Sequence, residues 1–550
     1  MSAAIVVAVL AGGVLLMLLA RAIQTTLAIR RVGADSAREY DMVRVAEYAG
    51  GLGPPPALLP EQAWNDLDMD QVFRRIDRTV GWPGQHLLYA RMRREDHLPD
   101  AQRQFDEGIT CLVENETVRA RIRAALTPLA GRRASALPTL FQRAIPPVPA
   151  AARAAPVLSL VSVGMIAGAF WWPPLVLGAV VCALVNTYMR VAMRDDMIRA
   201  LLAAGMVPVM QRAATALARL EAPALRPLVD DLRRSAPRLH GIARAARWLS
   251  FEPTPANEIL GYLYEYVNLL LLLDVSVFIW TVGRLRDERD ALARTYAALG
   301  ELDVMQGVAA LRLDGSAWVR PESSNESPRS LSFTALVHPL LESPVANSLT
   351  LDGQSVLLTG SNMSGKSTFI RTIGVNAVLA NTLNMVFAER WVAPRYSVRT
   401  SIGRADSLLE GKSYYLAEVE GVRALLDGAD TPRLSLIDEL FRGTNTIERV
   451  AAAKAVLAQL ERNHDLVIMA THDVELLDLL PEYVPYHFRE EIVAGELAFD
   501  YRLHAGRSAT RNALAILEAA GYPAAVVEDA RAVADAHWPL AAADVRSPHA

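Results

Sequence analysis

Leu357-Leu-Thr-Gly-Ser-Asn-Met-Ser-Gly-Lys-Ser-Thr368 decides how this 550-residue chain is read. Gly360, Gly365, Lys366 and Ser367 stand at the spacing G-x-x-x-x-G-K-[ST]. A short apolar run, Ser355 to Thr359, leads in as a buried strand. The glycines then let the loop turn its N–H groups inward around phosphate oxygens. A helix opening near Gly365 directs its positive N-terminus at the same anion. Gly360, Ser361, Asn362, Met363, Ser364, Gly365, Lys366, Ser367 and Thr368 form the candidate cradle. Lys366 supplies a point charge for β- and γ-phosphates, and Ser367 a hydroxyl for Mg²⁺. The expected cofactors are therefore ATP and Mg²⁺.

Downstream, the pattern continues as strand–helix units. Leu434-Ser-Leu-Ile-Asp-Glu439 is an apolar run ending in two acids. A parallel strand covered on both faces needs such a run, and α/β sheets gather ligands at its C-terminal end. There Asp438 suits Mg²⁺ and Glu439 suits polarising an attacking water. The polar loop Phe441-Arg-Gly-Thr-Asn-Thr446 follows. Leu466-Val-Ile-Met-Ala-Thr-His472 is the next strand, and its His472 falls at the same sheet edge as a γ-phosphate sensor. Gly411-Lys-Ser413 precedes a helical pattern from Tyr414 to Leu426. A Gly-x-Ser at a helix start is a second anion site. It comes too late in the chain to serve its own loop easily and suits the loop of a second subunit.

Composition bears on what lies upstream. The hydrophobic fraction is 52% and the formal charge −4, so no global basic field points to nucleic acid. Two cysteines, Cys111 and Cys182, make neither a disulfide framework nor a zinc site. Ala3 to Ala20 is free of charge, and Arg21, Arg30 and Arg31 follow it. It reads as a membrane anchor with its C-terminal side in the cytoplasm, with a cleaved signal peptide as the alternative. Ala154 to Met189 is again uncharged and breaks at Trp171-Trp172-Pro173-Pro174, which reads as a transmembrane hairpin. Tyr266 to Gly283 carries Asp274 at its centre and reads as a buried core helix. The expected divisions are an anchor (1–23), a helical region (24–153), the hairpin (154–189), a helical lever region (190–329), the nucleotide domain (330–536) and a tail (537–550).

Thr359-Gly-Ser-Asn-Met-Ser-Gly-Lys-Ser-Thr368, Ile437-Asp-Glu-Leu-Phe-Arg-Gly-Thr-Asn445 and Ala470-Thr-His472 together resemble the ATPase domain of the MutS DNA mismatch-repair family. Asn362-Met363 inside the loop and the Gly-x-Ser at Gly411 to Ser413 are marks of that family, as is His338-Pro339 ahead of the loop. Phe499-Asp-Tyr-Arg-Leu503 with Gly506, Asn512 and Gly521-Tyr-Pro523 is similar to its closing segment. Upstream, Leu67-Asp-Met-Asp70 with Thr79-Val-Gly-Trp-Pro-Gly84 resembles the helical core, and Tyr262 to Trp280 the lever helix. The nearest likeness is to membrane-anchored MutS-related proteins of bacteria.

The resemblance implies an α/β P-loop NTPase domain of ABC-like, MutS type behind an all-α core/lever domain with transmembrane helices. It implies a homodimer joined through the ATPase domains, with ATP between Lys366 of one subunit and Ser413 of the other. Glu439, Lys366 and His472 would be catalytic, and Ser367 and Asp438 would hold the metal. DNA is the expected ligand, membrane lipid a further partner through about three helices, and the bacterial inner membrane the expected location. A membrane switch without DNA and a transporter-type ATPase are the alternatives. The family's mismatch-reading and connector domains have no counterpart, and Phe105-Asp-Glu107 lies in a helix-like run. Pro344 stands where the family often places an adenine-stacking aromatic.

Overall fold

The computed structural model describes residues 41–51, 58–95, 99–143, 154–249, 272–324, 327–361, 363–403, 414–427, 431–493, 496–507 and 521–537. The chain divides into two compact units, one of residues 1–55, 77–91 and 103–313, the other of 56–76, 92–102 and 314–550. The upstream helical stretch is therefore shared between them.

The first unit is helical where described. Its spine is the helix Arg289–Arg312, of which one side after another is buried: Leu292, Tyr296, Leu299, Leu302 and Val308. The helix Trp82–Met92 approaches it closely at Gly300, where an added Cβ would lie 2.6 Å from the carbonyl oxygen of Pro83. A side chain there would force the two backbones apart. The turn before Trp82 closes over Asp303. The amides of Val80 and Gly81 donate to its two oxygens at 2.8 and 2.7 Å, and Gln306 Nε2 donates at 3.0 Å. The Thr79–Gly84 motif is thus a carboxylate-bound turn. Phe105 and Asp106 are structural: the Arg91 guanidinium lies 3.5 Å over the Phe105 ring, and Asp106 pairs with Arg312 at 2.7 Å.

Asp303 gives a pH test of this packing. Burial, with no cationic partner among the described residues, pushes its carboxyl up to about 7, against the pull of the three donors. The folded unit thus holds that proton more tightly than the unfolded chain, whose carboxyl titrates near 3.8. Its stabilising contribution is complete below the unfolded value and is lost as pH rises through about 7. Relative to Asp303→Asn, the native protein is expected to lose stability between those limits with a slope approaching about 1.4 kcal/mol per pH unit. Denaturant unfolding of both proteins across that range checks it, and parallel curves would contradict it.

The membrane reading is corrected by the helices themselves. Ala155–Gly168 and Leu175–Ala204 form an antiparallel pair around the Trp171–Pro174 turn. The first has 14 residues, about 21 Å at 1.5 Å per residue, against a bilayer core of about 30 Å. The second is uncharged only from Leu175 to Met189, an equally short stretch before Arg190. Among the described residues no helix is long and apolar enough to cross a membrane. The pair leaves Leu160, Trp171, Leu177 and Tyr188 exposed, and Asn186 Nδ2 reaches Ser162 Oγ between its arms at 3.3 Å. The expected transmembrane hairpin falls with this finding, and with it the count of about three spans, the membrane-lipid partner and the inner-membrane location. Ala3 to Ala20 lies outside the described residues. Of the stretch read as a core helix, Leu273 onward is helical, with Val275, Phe278 and Val282 buried.

The second unit is α/β. Its strands in chain order are β1 (Glu322–Ser323), β2 (Ser330–Leu336), β3 (Asn347–Asp352), β4 (Val356–Thr359), β5 (Arg390–Ala393), β6 (Ser397–Ile402), β7 (Arg433–Asp438), β8 (Leu466–Ala470), β9 (Val484–His487), β10 (Glu490–Val493), β11 (Glu496–Phe499) and β12 (His504–Ala505). The main sheet runs β12-β9-β4-β8-β7-β6. Its inner pairs are parallel, and β4, β7 and β8 are buried at every position. That explains their unbroken apolar runs, because helices cover both faces of such a sheet.

Five helices of this unit matter for the site: α1 (Glu61–Asp66), α2 (Met69–Ile76), α3 (Lys366–Leu383), α4 (Tyr414–Leu425) and α5 (Thr446–Arg462). Val422 and Leu425 of α4 and Leu457 and Leu460 of α5 pack with Leu357, Ile437, Val467 and Met469 of the strands. Among the described residues no strand lies beyond β6, and carboxylates take its donors instead. Asp66 accepts from Ile402 N at 3.0 Å and Thr400 Oγ1 at 2.7 Å. Glu95 accepts from Val398 N at 3.0 Å and Ser397 Oγ at 2.9 Å. This satisfies the strand and blocks edge-to-edge pairing, and it is why 56–76 and 92–102 group with this unit.

Candidate nucleotide site

β4 delivers the loop and α3 receives it. Gly360 has φ +142°, and a Cβ there would sit 2.7 Å from the carbonyl oxygen of Phe488. Only glycine fits that turn. Gly365, at φ +104°, is the N-cap of α3. Ser364 is buried and donates to Ser361 O at 2.8 Å, which closes the loop on itself. Lys366 is buried, and its Nζ donates to the carbonyls of Gly360 and Ser361 at 2.8 and 2.7 Å. The ammonium is thus held inside the loop, beside the first turn of α3, where the backbone N–H groups have no intrahelical partners. Ser367 is half-buried, Thr368 exposed, and Met363 is 80% exposed at φ +71°. Asn362 and Ser413 lie outside the described residues.

The acid pair comes from β7, which is separated from β4 by β8 alone. Asp438 and Leu358 are both registered to Ala470 of β8, so the three strand ends stand level. Glu439 follows in a left-handed conformation, φ +61°, with its amide donating to Ala470 O at 2.9 Å. That turn lifts its carboxylate off the strand. Oε1 meets His472 Nε2 at 3.1 Å, and Oε2 meets Arg442 Nε at 2.6 Å. Arg442 also donates to Asp438 O at 3.2 Å. Burial, then the Lys366 charge, lowers the His472 imidazole below its ordinary range. A neutral His472 donates Nε2–H to Glu439, which fixes its tautomer. Asn445 caps α5 by accepting from Glu448 N at 3.0 Å, and Arg449 forks onto Asp473 at 2.9 and 2.5 Å, bracing the two loops.

Lys366, Ser367, Asp438, Glu439 and His472, read from the sequence, thus all belong to one edge of the sheet. Three further residues escaped that reading. Arg442 was seen only as part of a polar loop; its grip on Glu439 depends on the left-handed turn. Glu418 of α4 lies 24 positions before Arg442, whose amide it accepts at 3.3 Å. Tyr501 was noted only as part of a closing segment. Its ring lies against the loop, 3.2 Å from where a Cβ on Gly365 would stand, and Tyr501 is 45% exposed. Pro344 is half-buried and brings no aromatic ring.

The donor set fits a Mg-nucleotide. Among the described residues no group of three or more His, Cys, Asp or Glu could hold a metal unaided. Mg²⁺ does not require one, since it takes one or two protein oxygens and completes its octahedron with phosphate and water. Ser367 and Asp438 are such oxygens, and Lys366 with the α3 N-terminus suits the phosphates.

A glycine-turned loop between a buried parallel strand and a helix, facing acids one strand beyond its neighbour, defines a P-loop nucleotide-binding domain. Comparison with known proteins narrows this. The family model described as MutS domain V matches residues 356–537. The DNA mismatch repair protein MutS of Thermus thermophilus is 34% identical over 279 residues, which is 50% of this chain and 34% of that protein. That of Geobacillus kaustophilus is 30% identical over 323 residues, 56% of this chain and 35% of that protein. The chain is similar to the MutS family through its residues 356–537. It spans about a third of the length of these relatives.

Proposed function

We propose that this protein binds ATP with Mg²⁺, hydrolyses it at a site shared between two ATPase domains, and couples the cycle to DNA. The observation that carries the reading is that the Lys366 loop leaves β4 and the Asp438-Glu439 pair ends β7 at one end of the sheet, with Leu358 and Asp438 both in register with Ala470. Lys366 gives up loop carbonyls for phosphate oxygens as ATP enters. Asp438 and Ser367 are the oxygens that would hold Mg²⁺, which when bound would supply charge neutralisation at the phosphates. Glu439 accepts a hydrogen bond from the attacking water, and His472 keeps its carboxylate in place. Arg442 and His472 each take one acceptor site of the Glu439 carboxylate, which leaves lone pairs free for water.

Dimerisation is supported by Met363, 80% exposed in the loop that leaves β4, and Ile447, 83% exposed in the first turn of α5, which follows β7. Apolar side chains beside a charged nucleotide loop suit a facing subunit. ATP held by the Lys366 loop would there meet Ser413 of the partner subunit. The DNA ligand is inferred from the relatives, which are named DNA mismatch repair proteins. Tyr501 offers the ring for the base. Tyr501→Ala is expected to raise the KM for ATP about 2- to 13-fold with kcat little changed, as loss of one stacking contact does. Steady-state kinetics check this, and an unchanged KM would remove Tyr501 from the site. The proposal as a whole is tested by ATPase assay of the full chain with and without duplex, mismatched and branched DNA. No hydrolysis under any condition would overturn it.

A further inference from the structure

We infer that Glu418 is a positioning residue for hydrolysis, holding the strained turn that presents Glu439 to water. This rests on the reading of Glu439 given above. Glu439 and Phe441 both take left-handed backbone conformations, at φ +61° and +60°. For side chains other than glycine, such conformations are strained and persist only where the surroundings impose them. The start of the turn is pinned by the Glu439 amide on Ala470 O. Its far end is pinned by Glu418, which comes from a different element, α4. Glu418 Oε1 accepts from the Arg442 amide at 3.3 Å, and the Phe441 amide also donates to this carboxylate.

Glu418 is half-buried, and its second oxygen is buried with no hydrogen-bond partner among the described residues. A buried oxygen left without a hydrogen bond is destabilising, so the Glu418 carboxylate costs the fold something that the turn it holds has to offset. Burial pushes the Glu418 carboxyl upward, and the nearby Glu439 charge pushes it further. The Arg442 and Phe441 amides and the Arg442 guanidinium oppose both. The side chain thus answers to the charges around the acid pair as well as to its own helix. With the two amides released, the turn can relax to ordinary backbone angles, and Glu439 then swings away from the edge shared with Asp438 and Lys366.

The test compares Glu418→Ala and Glu418→Gln in the full chain, since glutamine keeps an acceptor oxygen for the two amides. Glu418→Ala is expected to lower kcat for ATP about 10- to 100-fold, with KM and the Kd for a non-hydrolysable ATP analogue within about threefold of wild type. Glu418→Gln is expected to recover kcat to within about threefold. Thermal melts establish that both variants fold. The inference is overturned if Glu418→Ala turns over like wild type, if KM rises in step with the loss, or if glutamine fails as badly as alanine. A wild-type chain that hydrolyses no ATP, or a Glu439→Gln variant that hydrolyses it normally, would overturn the proposed function and this inference with it.

Discussion

Glu439→Gln is expected to lower kcat for ATP hydrolysis by about 10²- to 10⁴-fold, the range a positioned general base supplies, while ATP affinity changes little. The asymmetry follows from placement. Glu439 stands off the end of β7, one step beyond the metal-suited Asp438, and faces His472 and Arg442 instead of the Lys366 loop. Glutamine keeps the size and one acceptor, so the phosphate cradle between Gly360 and Ser367 is untouched. It cannot take a proton from water, and it loses the ion pair with Arg442. Arg442 is 39% exposed, so that loss adds little to stability. Nucleotide binding followed by fluorescence, beside turnover measured by phosphate release, separates the two effects. A variant that turns over at the native rate removes Glu439 from the mechanism.

Lys366→Ala is expected to fail earlier, at binding. Nζ donates to two carbonyls of its own loop and is buried within it. Removing it leaves the Gly360 and Ser361 carbonyls without that donor and deletes the point charge facing the phosphates. A charged hydrogen bond contributes about 1.5–3 kcal/mol, so the Kd for ATP should rise about 10- to 150-fold. Hydrolysis at moderate ATP concentration should then be undetectable. Isothermal titration measures the shift, and an unaltered Kd would show that the loop grips phosphate through its amides alone.

The cradle was legible in the sequence because its physics is local. A strand, two glycines, a lysine and a helix start occupy one continuous stretch, and so does the acid pair at the end of β7. The ring at Tyr501 and the carboxylate at Glu418 were not legible as site residues, because each reaches the site from a distant segment through tertiary packing. The same holds for Asp66 and Glu95, which satisfy the edge strand β6 from far upstream and leave no periodic signature. The hairpin failed for a different reason. A charge-free run from Ala154 to Met189 has the composition of two spans, but the break at Trp171–Pro174 leaves arms too short to cross. Hydropathy counts residues, whereas a membrane requires uninterrupted helix length.

The central claim is that the nucleotide is shared between two subunits. The most direct measurement mixes Lys366→Ala and Ser413→Ala chains, co-expressed so that they pair at random, and reads ATP turnover. Each variant alone should be nearly inactive. In the mixture, half the dimers hold one complete site, so turnover should recover to about a quarter of the native value. Mixed dimers as silent as either parent, or a Ser413→Ala chain active by itself, would contradict the shared site.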